Sequence, residues 1–194
     1  GLQAAPIPGL FNTGVNNSGA LLAAGSVDPH YRMIQSADLG FPGPNAIVIN
    51  EGWPIVAGTW LVNGPSSKWI GPQAPQGTGN AAGDYVYRIT FDLTGLEPSS
   101  AVITGIWTSD NAGPDVRLNG VGTGINYDGN FGVFSSAFTI SSGFREGTNT
   151  LDFVINNAGT TVSPTGFRTE ITGTADLEAP PGTPPSIRQQ PASA

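Results

Sequence analysis

From Asp84 to Leu93 apolar and polar side chains alternate, with Tyr85, Tyr87, Ile89, Phe91 and Leu93 on one face and mostly polar residues on the other. A period of two puts the first set on one side of an extended chain, so the pattern predicts a half-buried antiparallel strand that Thr94-Gly95 closes. Later stretches at 101–108, 115–119, 134–140, 150–156 and 167–174 read as strands too, each bounded by Gly, Pro, Asn or Asp. No window of about eleven residues free of Gly and Pro carries an apolar i, i+3, i+4, i+7 stripe. Strands separated by turns, with no helical pattern between them, predict an all-β fold: a two-sheet antiparallel β-sandwich closed as a jelly roll. Asn119-Gly120 suits a type I′ hairpin turn, which needs positive φ at both central residues.

Before residue 84 the pattern is less regular. Segments 46–50 and 55–62 read as strands, but Pro42, Pro44, Pro54, Pro65, Pro72 and Pro75 impose long loops between them. Loops of that length carry function or wrap an exposed edge. At the other end, from Glu178, four prolines fall within six residues and remove amide donors, which predicts a semi-rigid linker over 178–194. The expected organisation is one β-sandwich module over 1–177, most regularly patterned over 84–177, followed by a linker to a next domain.

Composition narrows the partners. Of 194 residues 28 are Gly and 17 Pro, yet 38% are hydrophobic, including nine Phe, four Trp and four Tyr, enough for one core. Fourteen carboxylates against seven basic side chains give a net charge of −7. That charge repels a phosphate backbone, and no basic run reverses it locally, so nucleic acid is a poor partner. No run of apolar residues is long enough for a membrane-spanning helix. Without cysteine and with His30 as the single histidine, thiolate and multi-histidine metal sites are excluded. Few lysines, much Gly, Ser, Thr and Asn, and a Leu2-Gln3-Ala4-Ala5 segment read as a signal-cleavage remnant suit an exported bacterial protein, secreted or at the cell surface.

The segments Gly105-Ile106-Trp107-Thr108-Ser109-Asp110-Asn111, Asp115-Val116-Arg117-Leu118-Asn119-Gly120, Phe138-Thr139-Ile140 and Gly147-Thr148-Asn149-Thr150-Leu151-Asp152-Phe153 resemble galactose-binding-domain-like jelly rolls. Such modules accompany bacterial glycoside hydrolases and serve as carbohydrate-binding modules. The resemblance extends to modules of secreted bacterial surface proteins, with similar counterparts of Asp28-Pro29-His30-Tyr31 and Lys68-Trp69-Ile70. It covers 84–177 well and the first 80 residues more loosely, and its motifs carry architecture: Trp107 is expected as a core slab, and no ligand residue transfers by motif. A structural Ca2+ is the one cofactor it implies.

Catalysis finds little support. There is no Gly-x-Ser-x-Gly elbow, and a Ser-His-Asp triad would have to recruit His30, which is expected instead in an Asx or Pro turn with its imidazole bonded to backbone. A carboxylate pair about 5 to 9.5 Å apart could be drawn from Glu51, Asp110, Asp115, Asp128 and Glu146, but Asp110 and Asp115 flank a Gly113-Pro114 turn where acidic side chains commonly bond local backbone. Aromatic platforms remain. Sugar C–H bonds stack on aromatic faces while Asn, Asp and Arg satisfy the hydroxyls, and the alternative for each Trp is a place in the core. The candidate ligand-binding set is Trp53, Trp60, Trp69, Tyr127, Asp128 and Asn130.

The expected function is therefore a non-catalytic carbohydrate-binding module of a secreted or surface protein, with a polysaccharide and neighbouring domains of a longer chain as partners. The alternative is a structural or adhesive module that self-associates by edge-strand or tail docking.

Overall fold

The computed structural model describes residues 3–179 and 182, and most of the expected linker over 178–194 lies outside them. The strands are β1 (Ala4–Pro6), β2 (Val27–Gln35), β3 (Asn45–Val48), β4 (Ile70–Gly71), β5 (Gly83–Asp92), β6 (Val102–Asp110), β7 (Ala112–Leu118), β8 (Val121–Gly122), β9 (Phe138–Ile140), β10 (Thr148–Asn157) and β11 (Gly166–Asp176). Among the described residues the only helical pieces are two 3-10 turns, Gln76–Thr78 and Pro98–Ser100, so the all-β expectation holds. The strands form one antiparallel sheet in the order β8-β7-β10-β5-β2-β3-β4-β11-β6-β9, with β1 added beside β11, and the sheet curls as a half-barrel. The short β3–β4 pairing, Val48 opposite Ile70 and Ile47 opposite Gly71, joins the two limbs of the curl.

The alternation read over 84–93 sets which face enters the curl: Tyr85, Tyr87, Ile89, Phe91 and Leu93 are all buried. They meet Phe153 from β10 and Phe167 from β11, whose rings lie 4.7 Å apart, with Tyr87 5.3 Å from Phe167. Each such ring contributes roughly 1.5–3 kcal/mol of burial. Trp107 is buried in this core, as expected, and Gly113 on β7 makes room for it, since a Cβ there would overlap the indole. The Asn119-Gly120 turn is present with φ of 52° and 81°, and it sets Leu118 opposite Val121.

A second core of Ile49, Ile55, Trp60 and Trp69 lies apart from the first. Gly166 lets it press on β11, because a Cβ there would come within 2.8 Å of Ile49 Cδ1 and 3.2 Å of Trp60 Cη2.

Several elements differ from expectation. Segment 55–62 is a loop: Pro54 has no amide to donate, Gly52 and Gly58 take positive φ, and the Trp60 amide donates to Pro54 O at 3.0 Å, closing a turn where a ladder was predicted. Of 134–140 only Phe138–Ile140 is strand, since the chain before it is drawn off by the Ser135 amide, which donates to Trp107 O at 2.8 Å. The strand β2 was not anticipated, because Asp28-Pro29 reads as a turn. The local Asx bonding is there, with Asp28 Oδ1 accepting from the His30 and Tyr31 amides at 2.8 and 3.0 Å, and it sits inside a strand whose register shifts between Val27 and Arg32. The His30 imidazole is not bonded to backbone; it stacks on Phe11 at 3.6 Å, and its Nε2 is buried without a partner.

Candidate functional site

The strands β2, β6 and β10 finish, and β5, β7 and β11 begin, at one end of the sheet, as the pairs Gly166–Asp110 and Asn157–Gly83 require. Loops around Leu39, Gln76, Tyr127 and Val162 therefore belong to this end, and the contact of Trp53 with Gly77 brings the loop between β3 and β4 to it as well. All six candidate residues lie in them or just beneath them, in three different situations.

Trp60 and Trp69 are buried, 1% and 0% exposed, and stack on each other at 4.4 Å. Trp69 Nε1 donates to Leu61 O at 2.7 Å, and Trp60 Nε1 donates to Asp110 Oδ2 at 2.7 Å. Phe131, from the Tyr127 loop, packs against them, and the Leu61 amide donates to Phe131 O at 2.7 Å. Neither indole offers a ring face to a sugar; the expected platform is for these two residues the floor under the loops. An indole needs large apolar contact and one acceptor, and this layer supplies both.

Tyr127, Asp128 and Asn130 build their own loop. The Tyr127 hydroxyl donates to Val133 O at 2.7 Å and also contacts Asn130 O. Asp128 Oδ1 accepts from the Asn130 amide at 3.1 Å, and Asn130 Oδ1 accepts from the Gly132 amide at 3.3 Å. Tyr127 and Asp128 line a cleft of ≈ 510 Å³ floored by Trp107 and flanked by Ser135 and Ser136.

Asp128 and Asn130 are exposed, and among the four candidate aromatics Trp53 is the exposed one, 58% accessible. Its six-membered ring lies against Gly77, where an added Cβ would sit 3.6 Å from Cε3 and 3.7 Å from Cζ3. Gly77 belongs to the 3-10 turn Gln76–Thr78, held from below by Gln76, whose Nε2 donates to Asn80 Oδ1 at 2.8 Å and whose Oε1 accepts from the Thr165 amide at 2.9 Å. Beside Trp53 in sequence, Glu51 accepts from Asn63 Nδ2 at 3.1 Å and pairs with Lys68 Nζ at 3.2 Å.

Two carboxyls at this end are perturbed in opposite senses. Burial pushes Asp110 up to about 6, only partly offset by the Trp60 indole, and its Oδ1 is buried with no partner. Burial also acts to raise Asp38, but the Asn80 amide and the backbone amides of Ala81, Gly40 and Phe41 outweigh it and hold Asp38 below the usual carboxylate range. Gly113 and Pro114 form no turn but lie within β7, and Asp115, expected to bond local backbone there, instead accepts from the Gly124 amide at 3.2 Å, nine residues on and beyond β8. The Asp110 carboxylate bonds no local backbone either; it is taken by Trp60, fifty residues away.

For Ca2+, the described residues contain no group of three or more acidic or His side chains arranged to hold a metal ion. The buried carboxylate of Asp28 is already taken by the amides of Gly14, His30 and Tyr31.

Sequence reasoning passed over Leu39, 93% exposed, Val162, 65% exposed, and Asn80, fully buried beneath the loops that carry them. An apolar residue isolated among turn formers, as in Asp38-Leu39-Gly40, is the signal that could have marked Leu39. Nothing local marks Asn80, whose role depends on loops distant in sequence. Comparison with family models, with curated proteins and with solved structures finds no match for this chain.

Proposed function

We propose that the chain is a non-catalytic carbohydrate-binding module of a secreted or cell-surface protein, the two limbs of its curled sheet forming the layers of a jelly roll, with Trp53 as the ring that stacks on sugar. The observation that carries this reading is the exposure of Trp53 on a turn fixed from beneath by the buried Gln76. A platform held this way loses little freedom when a ligand arrives, and its open face suits the C–H side of a pyranose. Hydroxyl partners are near at hand in Asn63 and Glu51. Affinity electrophoresis of the full chain through plant and algal polysaccharides tests the reading: retardation by at least one glycan supports it, and free migration through all of them refutes it.

A second reading, a structural module that joins neighbours by strand addition, is favoured by the sheet's two ends. Among the described residues β8 and β9 each pair on one side only, and a cleft of ≈ 420 Å³ lined by Val121, Ile125, Thr139 and Ile140 lies between them. Concentration-dependent sedimentation, abolished by Val121→Lys, would select it. Docking of the tail falls outside the described residues.

A further inference from the structure

The end that carries Trp53 displays other apolar side chains, and one buried amide ties their loops together. Asn80 is fully buried and uses every polar atom it has. Its Nδ2 donates to Asp38 Oδ2 at 2.8 Å, fixing the loop of Leu39. Its Oδ1 accepts from Gln76 Nε2 at 2.8 Å and Gln73 Nε2 at 3.3 Å, fixing the turn on which Trp53 rests. Its amide donates to Ser163 O at 2.9 Å and its carbonyl accepts from the Ser163 amide at 3.1 Å, fixing the loop of Val162. A satisfied buried network of this kind rigidifies what it joins. Leu39, Trp53 and Val162 thus project from three loops with one anchor.

Charge narrows what such a surface can receive. The carboxylates of Asp38, Glu51, Asp84 and Asp128 lie at this end. Of the basic groups, Lys68 is paired with Glu51, and Arg168 is buried with its guanidinium on Ser67 Oγ (2.7 Å) and Val62 O (2.8 Å). Arg88 is held by Asp152 on the sheet, and Arg145 belongs to the opposite end, bonded to Thr148 O. Arg117 lies 3.6 Å from Asp115 on β7, and the exposed Arg32 lies within β2, opposite Arg88. Among the described residues no unpaired basic side chain therefore stands in the loops of this end to receive a carboxylate or sulfate, and the net charge of −7 repels both. The same charge disfavours a second copy of the chain as the occupant.

From this arrangement, and resting on the glycan-binding reading above, we infer that the ligand is an uncharged polysaccharide bound over several successive sugar rings, with Leu39 and Val162 as contacts beyond the Trp53 stack. A chain of neutral sugars presents repeated C–H faces with hydroxyls between them, which matches separated apolar contacts and does not match a single deep pocket.

The test is titration of the full chain, and of Leu39→Ser and Val162→Ser, with xylan, galactomannan and a mixed-linkage β-glucan as neutral probes, and with polygalacturonate and a sulfated galactan as acidic ones. Both side chains are exposed, so neither variant disturbs the core. The expected result is binding to a neutral probe only, weakened roughly three- to tenfold by each substitution, with affinity rising from disaccharide to hexasaccharide of that probe. Preference for an acidic probe, or unchanged affinity in both variants while Trp53→Ala abolishes binding, overturns this inference and leaves the glycan-binding reading intact. No binding to any probe overturns both. A concentration-dependent dimer that Leu39→Ser dissolves assigns the surface to a second copy and likewise overturns it.

Discussion

Trp60 Nε1 donates to Asp110 Oδ2 at 2.7 Å, joining the loop beneath the candidate site to the end of β6, while the other carboxyl oxygen is buried with no partner. The folded chain therefore holds an Asp110 proton more tightly than the unfolded chain does, with a pKa of about 6 against 3.8. The sign follows: this group's contribution is fully present below pH 3.8 and is lost as pH rises through about 6. The gap is worth ~3 kcal/mol. Asp110→Asn keeps an acceptor for the indole and removes the titration. Urea unfolding between pH 4 and 8 should show the variant gaining on the parent as pH rises; a parallel pair of curves would refute the assignment.

Trp60→Phe removes the donor and leaves the carboxylate buried and unpaired. It should cost about 2–4 kcal/mol at pH 7.5, and less at pH 4.5, where Asp110 is protonated. Chemical denaturation at the two pH values measures the difference.

Arg168, buried on the face of β11, fastens the loop at 62–67 through Ser67 Oγ and Val62 O, with its guanidinium 4.8 Å from the centre of the Phe134 ring. Arg168→Met should destabilise by roughly 2–3 kcal/mol and speed amide exchange at Val62 and Ser67 while leaving the Tyr85–Phe91 core protected. Hydrogen exchange resolved by residue checks it.

Gly113→Ala places a methyl group where the Trp107 ring lies. The expected cost is ~1–3 kcal/mol, with a changed environment for Trp107. A lowered melting temperature and altered near-ultraviolet dichroism would register it.

The parts of the fold legible in the sequence are those whose signal is local. The alternation through Tyr85–Leu93 and the Asn119-Gly120 turn follow from neighbouring residues, while the core place of Trp107 was expected from the resemblance. What escaped depends on partners far along the chain. Nothing near Trp60 announces that its acceptor is Asp110, and the Asp28-Pro29 pair hides a strand because its turn-like bonding occurs within the register shift of β2. The candidate site divides in the same way. Three tryptophans among Pro and Gly pointed to one end of the molecule, but Trp60 and Trp69 entered a second core that required Gly166, over ninety residues on, to let them approach the sheet. Trp53 alone kept the exposure expected of a platform.

The most direct test of the glycan-binding account is calorimetric titration of the full chain and of Trp53→Ala with the polysaccharide that retards the parent most in affinity gels. Trp53 is largely exposed, so its removal leaves both cores intact and the unfolding midpoint nearly unchanged. The account predicts at least a tenfold loss of affinity in the variant. Equal affinity in the two proteins would contradict it.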